Sequence, residues 1–313
     1  MGIRVSAAIV TFNRREEVGK AVGSALAQSW AEKEVLVFDG GSSDGTVQAL
    51  GERFGEFPQL RLLECSRDPG FVVLRNRLAR EARGDILVYL DDDAYFSDRG
   101  TFASVAELFE RYPRTAVAAL PFISPAEVAR RFQGQRLPPP GSELACFTGC
   151  AWAIRREVAL ETGPFREIPG YYREDRDLSL RLLDRGYGIR LAGGKPVVHM
   201  HSPARDWEGR LRLDVISTLL FDWLNVPWPY LPGRAVKDIL SLVRYRAPLA
   251  RIPARLRYVS EGLLRCFYHR RLRSPVRWTT WRRYRRLPPH GIMSWDGPLP
   301  PAVLPPGGGP VVE

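Results

Sequence analysis

Short apolar runs alternate with stretches of helical periodicity over the first two hundred residues. The apolar runs are typical of β-strands, and they lie at residues 5–12, 34–39, 60–65, 85–90, 116–120 and 146–155. The intervening stretches repeat apolar side chains as an amphipathic helix does, at residues 15–28, from 46 onward, and at 71–82, 100–112 and 174–186. Strands that alternate with helices predict βαβ units, and therefore an α/β fold with a mostly parallel sheet.

Carboxylates stand directly after two of these strands. Asp39 ends the second strand, and Asp91, Asp92 and Asp93 follow the apolar run that ends at Leu90. In parallel sheets, ligands bind outside the carboxyl ends of the strands. Three adjacent carboxylates repel one another, and a divalent cation such as Mg²⁺ or Mn²⁺, which also binds diphosphate oxygens, would supply the counter-charge. A solvated acidic turn is the alternative.

The net charge of +11 lies entirely in the last third of the chain. Residues 1–200 carry 27 basic and 27 acidic side chains, whereas residues 201–313 carry 19 basic and 8 acidic ones. This last third is rich in Arg, Trp, Tyr and Pro, which predicts short helical pieces broken by proline. Arginines interleaved with aromatic residues favour contact with an anionic membrane or with a nucleic acid.

The remaining composition is that of a globular protein in a reducing compartment. The four cysteines have no paired spacing and no nearby histidine that would complete a zinc site. The N-terminus runs directly into the first strand, so no signal peptide is expected. No apolar stretch reaches the roughly 18 residues that a membrane span needs. We therefore expect a cytoplasmic protein, which its basic last third can bring to the inner face of the cell membrane.

Several motifs resemble, in their order and spacing, the family 2 glycosyltransferases. IVTFNRREEV, VLVFDGGSSDGT and LRNRLAREARGDILVYLDDDA resemble the nucleotide-binding half of these enzymes. FTGCAWAIRREVALETGPF and YYREDRDLSLRLLDRGYGIRLAGGKPVVHMHS resemble their acceptor half, so the resemblance covers residues 3–202. It implies the GT-A fold, a Rossmann-like and mostly parallel sheet that binds nucleoside-diphosphate sugars.

The resemblance and the change in composition together imply a division into domains. Residues 1–204 would form the catalytic domain, with a nucleotide-binding half at 1–98 and an acceptor half at 99–204. Residues 205–297 would form a basic, aromatic and mainly helical extension. Residues 298–313, which are rich in Pro and Gly, are predicted to be a disordered tail.

The resemblance also implies which residues contact the nucleotide sugar. They lie at strand ends, on a helix and in the later motifs: Thr11, Asn13, Asp39, Arg75, Asp91, Asp92, Gly149, Trp152 and Glu174. Asp39 would accept the imide N–H of uracil or thymine, although it is also suited to cap its own turn. Arg75 would pair with base or phosphate, with an ordinary exposed helix arginine as the alternative. Gly149 would let the backbone approach the sugar, and Trp152 would stack against donor or acceptor.

A metal site follows from two of the motifs by the same resemblance. Asp91 and Asp93 match the family's Asp-x-Asp motif and would bind Mn²⁺ or Mg²⁺. His199 and His201 lie two residues apart in VVHMHS, and either would reach the ion from a strand. We favour His199. Two partly buried strand-end histidines without a metal are the alternative.

The catalytic base is expected in REDRDLSLR. Asp175, in the family's Glu-Asp motif with Glu174, would take the proton of the acceptor hydroxyl, and Asp177 is the alternative. The same acidic residues also favour a helix N-terminus electrostatically, and this effect is compatible with catalysis.

We therefore predict a metal-dependent, inverting glycosyltransferase that moves a sugar from a UDP- or dTDP-sugar to a glycan or lipid-linked acceptor. A sugar nucleotidyltransferase would carry a Gly-rich phosphate loop after the first strand, which TFNRREE lacks. A nucleic-acid-binding protein would use YHRRLRSPVRWTTWRRYRRLP, but it would leave the acidic motifs unexplained. We expect residues 205–290 to contact an anionic membrane, and we expect no nucleic-acid partner.

Overall fold

The chain forms two compact units in the computed structural model, which describes residues 2–125, 137–200, 207–244, 252–293, 295 and 297–306. The first unit comprises Met1–Arg166, Gly186–Ser202 and Pro288–Glu313, and the second comprises Glu167–Arg185 and Pro203–Leu287. This division differs from the boundary expected near residue 204. The chain enters the second unit earlier than expected, and it returns to the first unit at residue 288.

In the described part of the first unit, the strands form two sheets. They are β1 (Val5–Thr11), β2 (Lys33–Asp39), β3 (Leu60–Glu64), β4 (Ile86–Asp91), β5 (Ala94–Phe96), β6 (Thr115–Ala119), β7 (Phe122–Ile123), β8 (Ala151–Arg155), β9 (Gly188–Leu191) and β10 (Val197–His199). The main sheet has the order β3-β2-β1-β4-β8-β6-β9. Neighbouring strands are parallel except around β8, which runs antiparallel to β4 and β6. The predicted, mostly parallel sheet is confirmed.

Amphipathic helices connect these strands. They are α1 (Val18–Leu26), α2 (Thr46–Phe54), α3 (Phe71–Glu81), α4 (Thr101–Arg111) and α5 (Arg156–Thr162). On α1, fully buried Val18, Ala21, Val22 and Ala25 recur at helical spacing and join side chains of β1 and β2 in the main core. The carboxyl ends of β1, β2 and β4 lie at one edge of the sheet, so the side chains that follow these strands meet there.

A loop precedes β8 where the sequence predicts a strand. The prediction covered residues 146–155, but β8 begins at residue 151. Two backbone amides before β8 donate to residues outside the main sheet: the amide of Ala145 donates to the carbonyl of Pro288 at 2.8 Å, and that of Thr148 donates to His290 at 3.0 Å. These tertiary bonds satisfy the backbone there and replace a strand ladder.

A small three-stranded sheet lies beyond the end of β4. Its order is β5-β10-β7, with β10 antiparallel to β5 and parallel to β7. His199 is paired with Ala94, the residue that follows Asp93. The amide of Met200 also donates to the carbonyl of Asp93 at 2.9 Å. The register of this sheet therefore brings β10 beside the acidic turn that leaves β4.

The described residues of 288–306, which we call the return segment, pack against the rest of the first unit. The Tyr95 hydroxyl donates to the carbonyl of Pro300 at 2.9 Å, and the amide of Val303 donates to the carbonyl of Phe96 at 3.3 Å. Leu299 and Ala302 pack on the small sheet. This order differs from the disorder expected from residue 298, because apolar side chains among the prolines give the segment a surface to bury. Residues 307–313 lie outside the described part of the chain.

The described part of the second unit is helical, as predicted for the C-terminal region. Its helices are α6 (Glu174–Asp184), α7 (Trp207–Asn225), α8 (Leu231–Arg244), α9 (Ile252–Tyr268) and α10 (Trp278–Tyr284). Their core includes Leu180, Leu219, Leu224, Val259 and Trp281. Among the described residues, no helix combines the length and the apolar character that crossing a membrane requires.

Candidate active site

Three predicted metal ligands meet at the carboxyl edge of the main sheet. Asp91 ends β4, Asp93 precedes β5, and His199 ends β10. His199 Nε2 lies 3.1 Å from Asp93 Oδ1 and 3.8 Å from Asp91 Oδ2, and one ligand atom from each residue lies within 4.8 Å of the others. Two carboxylates and an imidazole are a donor set that suits Mn²⁺, and the carboxylates also suit Mg²⁺. The alternative ligand, His201, lies outside the described residues.

Asp92 shows how closely the carboxylates are crowded. Burial, and then the charges of Asp93 and Asp91, raise the pKa of Asp92 to about 7. The hydroxyl of Thr11, itself 1% exposed, donates to Asp92 Oδ2 at 3.0 Å. In this structure Thr11 therefore supports Asp92 from the neighbouring strand, and its predicted contact with the nucleotide stays a prediction.

His199 responds to the same negative field. Burial acts to lower the pKa of His199, but the Cys150 thiol and the Asp93 carboxylate beside it raise that pKa to about 10. The groups around the imidazole thus stabilise a positive charge. A bound divalent cation would supply that charge with His199 neutral, and this is the electrostatic sense in which the site fits a metal.

Arg75 provides a permanent counter-charge from α3. Its Nη2 lies 2.5 Å from Asp91 Oδ1 and donates to the carbonyl of Gly149 at 3.1 Å. The guanidinium also lies over the ring of Phe71, 5.2 Å from the centroid. Arg75 is only 7% exposed, so the alternative of an ordinary exposed helix arginine is wrong. The arginine and the carboxylate hold each other at the edge of the site.

The loops after β1 and β2 are tied together. Asp39 Oδ1 accepts the amides of Gly41 and Ser42 at 2.8 and 2.7 Å, and Oδ2 accepts the Ser42 hydroxyl at 2.5 Å. The backbone amide of Asn13, which has a φ of 50°, donates to Ser42 Oγ. The side-chain Oδ1 of Asn13 accepts the backbone amide of Ser43. Asp39 thus caps its own turn, which was the alternative role considered for it. Its contact with the nucleobase stays a prediction.

The two candidate bases at the start of α6 differ in accessibility. Asp175 is half-buried, and its Oδ1 accepts the amide of Arg176 at 2.7 Å. Asp177 is 1% exposed, and its carboxylate accepts Arg181 Nε at 2.9 Å and Asn225 Nδ2 at 2.8 Å. Asp177 therefore stabilises the helices of the second unit, while Asp175 keeps surface through which a proton can pass. Glu174 opens the same helix and is also half-buried.

Residues 6–163 match the family model described as "Glycosyl transferase family 2". The chain belongs to this family. Among curated proteins, this glycosyltransferase family member is 31% identical to glycosyltransferase AglE of Haloferax volcanii over 217 residues, which are 64% of this chain and 67% of AglE. It is 35% identical to glycosyltransferase YfnE of Bacillus subtilis over 92 residues, 29% of this chain. The chain spans only 23% of the length of YfnE.

Solved structures of glycosyltransferases share the fold. The mannosyltransferase PcManGT of Pyrobaculum calidifontis, in complex with GDP-Man and Mn²⁺, superposes with a TM-score of 0.58 at 21% identity over 86% of this chain and 76% of PcManGT. Residues 1–349 of TarS of S. aureus, in complex with UDP-GlcNAc, superpose with a TM-score of 0.57 at 15% identity, over 83% of this chain and 81% of that TarS chain. The predicted GT-A fold of this family 2 member is confirmed.

One predicted contact of the family 2 member is wrong. Trp152 is fully buried and stacks between Tyr89 and Phe147, with both ring centroids 4.4 Å away. It lies opposite Tyr89 across the β4–β8 pair, so its indole is a core side chain and is not available to stack on a sugar. Gly149 lies in the loop before β8, where a strand was predicted, and its contact with the sugar stays a prediction.

An exposed aromatic residue escaped the reasoning from sequence. Phe12 follows β1 directly, is 44% exposed, and lies against Gly40, the residue after β2. A flat apolar ring at the carboxyl edge of the sheet is suited to stack on a nucleobase. The signal was present in TFN, where the strand ends on an aromatic residue that no core position requires.

Proposed function

We propose that this chain is a metal-dependent, inverting glycosyltransferase that uses a nucleoside-diphosphate sugar. The observation that carries the proposal is the meeting of Asp91, Asp93 and His199 at the carboxyl edge of a GT-A sheet, with Arg75 beside Asp91. This edge is where an α/β sheet binds its ligand. Asp91, Asp93 and His199 would hold Mn²⁺ or Mg²⁺, and the ion, when bound, neutralises the diphosphate that leaves the sugar.

The nucleoside would lie between the loops that follow β1 and β2. Phe12 offers an exposed ring for the base, and the bonds between Asn13 and residues 42–43 hold these loops in place. The Asp39 carboxylate would face the imide N–H of uracil or thymine. UDP- and dTDP-sugars are therefore the proposed donors, while the complexes of the two similar enzymes contain GDP-Man and UDP-GlcNAc.

The transfer would proceed by one in-line displacement. As the acceptor oxygen bonds to the anomeric carbon, its proton passes to the Asp175 carboxylate and the bond between that carbon and the diphosphate oxygen breaks. Attack from the side opposite the leaving group inverts the anomeric centre. The proposed acceptor is a hydroxyl of a glycan or of a lipid-linked sugar.

Nucleotide binding tests this proposal directly. We expect UDP or dTDP to raise the melting temperature of the full chain only when Mn²⁺ or Mg²⁺ is present, because the diphosphate binds through the ion. GDP and ADP serve as matched nucleotides with different bases. Salt-sensitive binding of an oligonucleotide with no effect of any nucleotide would contradict the proposal and favour a nucleic-acid-binding protein.

The second unit offers a surface that we propose contacts an anionic membrane. On α9, Leu256, Leu263 and Phe267 are 51%, 52% and 61% exposed, and their spacing of seven and four residues places them on one helix face. Exposed arginines stand on α9 and just after it, at Arg257, Arg270 and Arg271. An apolar face flanked by arginines matches the chemistry of an anionic lipid surface, and each basic side chain near it contributes about 1 kcal/mol.

Flotation of the full chain with vesicles tests this surface. We expect phosphatidylglycerol vesicles to carry the protein at low salt and to release it at high salt, and we expect Leu263→Ser with Phe267→Ser to weaken flotation because the exposed apolar area is lost. Leu160→Ser is the matched control, since Leu160 is a 44% exposed leucine on α5. Equal flotation of the double variant and the control, or equal binding to phosphatidylcholine, would exclude this membrane contact.

A further inference from the structure

We propose that His290 is a positioning residue of the metal site, which it supports through the loop at residues 147–150. This inference rests on the proposed function, because it assigns the loop a role in holding the metal-binding carboxylate. His290 lies in the return segment, which follows the second unit along the chain. None of the motifs in the first two hundred residues predicts a role for it.

The His290 ring is fixed on the loop by a directional hydrogen bond. Its Nδ1 accepts the backbone amide of Thr148 at 3.0 Å, and its ring meets the edge of Phe122 at a centroid distance of 5.3 Å. The side chain is 3% exposed. Burial lowers the pKa of His290 to about 4, so the imidazole is neutral at physiological pH and Nδ1 stays an acceptor.

The next two residues of the loop hold the site itself. The carbonyl of Gly149 accepts Arg75 Nη2, the same nitrogen that lies 2.5 Å from Asp91 Oδ1. The carbonyl of Cys150 accepts the backbone amide of Asp91 at 2.9 Å. Two consecutive carbonyls therefore fix both the backbone and the counter-charge of Asp91. Thr148 directly precedes these two residues, so the bond from its amide to His290 fixes the backbone from which both carbonyls follow.

The return segment holds His290 from both sides. Before it, the carbonyl of Pro288 accepts the amide of Ala145, two residues before the loop begins. After it, Ile292 is buried in the main core and the amide of Met293 donates to the carbonyl of Phe122 at 3.1 Å. The imidazole is thus presented to Thr148 by a segment that is itself anchored. This arrangement is what a positioning residue requires.

Two substitutions of similar polarity separate positioning from simple filling of space. In His290→Asn the amide oxygen can take the place of Nδ1 and accept the Thr148 amide. In His290→Gln the amide group lies one bond farther along the side chain, so its oxygen falls near the position of Nε2. His290→Leu keeps an apolar volume but has no acceptor, which leaves the half-buried Thr148 amide without its bond to the imidazole.

The affinity for Mn²⁺ alone is the readout, measured on the full chain by the loss of the free-ion signal in electron paramagnetic resonance. We expect His290→Gln and His290→Leu to weaken Mn²⁺ binding by about tenfold or more, as changes behind a metal ligand do, and His290→Asn to stay within about threefold of the unaltered protein. Leu50→Ala, in the same core, is the control for lost stability: we expect a lower melting temperature with unchanged Mn²⁺ affinity.

The outcomes distinguish this inference from the proposed function. If the unaltered chain binds no Mn²⁺, the proposed metal site itself fails. If it binds Mn²⁺ and His290→Gln binds equally well, the role of His290 is refuted while the metal site stands. If His290→Asn weakens Mn²⁺ binding as much as His290→Gln does, the hydrogen bond to Thr148 does not support the site, and the inference is likewise overturned. Should His290→Leu not fold, the comparison of Asn with Gln decides alone.

Discussion

Replacing Asp93 with asparagine should lower the rate of sugar transfer by more than about a hundredfold. Asp93 is buried and its Oδ1 lies 3.1 Å from His199 Nε2, so it is the carboxylate most enclosed by the site. Asparagine keeps the size of the side chain but removes the charge that a divalent ion requires. Transfer from a nucleotide sugar, and Mn²⁺ binding in parallel, measure the effect.

Asp85→Asn is the matched control for Asp93→Asn. Asp85 precedes the amino end of β4 and accepts the amide of Arg4 at 2.9 Å, so this substitution makes the same charge change at the opposite end of the same strand. We expect the control to retain both Mn²⁺ binding and transfer. Near-normal turnover of Asp93→Asn with a divalent metal would remove the metal site from the proposed mechanism.

Asp175→Asn should lower the turnover number by roughly 10²- to 10⁴-fold, because asparagine cannot take the acceptor's proton. Binding of the donor nucleotide should be nearly unchanged, since Asp175 is assigned to the acceptor hydroxyl and is not among the residues proposed to hold the nucleotide or the ion. Turnover per folded molecule and the dissociation constant of the nucleotide are the two measurements. A loss confined to turnover is the signature of a base.

Asp177→Asn is the comparison that makes the assignment decisive. The buried Asp177 carboxylate forms an ion pair with Arg181 and accepts a hydrogen bond from Asn225 Nδ2. Removing one charge of a buried pair costs about 3 kcal/mol or more of stability. We expect this variant to melt at a lower temperature and to keep its turnover while folded. If Asp177→Asn instead abolishes turnover without loss of stability, and Asp175→Asn is active, the base is Asp177.

The sheet was predictable because its pattern is local. Apolar runs ending in Asp39 and Asp91 identified β2 and β4, and the parallel order of the sheet follows from the intervening helices. The pairing of Asp93 with His199 is different, since more than a hundred residues separate the two. No periodicity connects them, and only the resemblance to a family placed His199 at the same site.

The failures have physical causes as well. Trp152 was misassigned because β8 is buried on both faces, so its sequence lacks the alternation that tells an inward side chain from an outward one. The return segment was missed because a Pro- and Gly-rich composition reports weak local preference and says nothing of tertiary partners. The role of His290 could not be predicted from sequence, because its hydrogen bond to Thr148 joins residues that are 142 positions apart.

The path of the return segment sets an order for events during translation. Tyr95 and Pro300, which share a hydrogen bond, are 205 residues apart, so their contact closes a very long loop. A ribosome must synthesise the whole second unit before residues 288–306 emerge to dock on β5 and β7. Until then, the nascent chain lacks Pro288 and His290, which bond to the backbone in and just before the loop at residues 147–150. The proposed donor site should therefore be among the last parts of this protein to mature, although most of the residues assigned to it are made first.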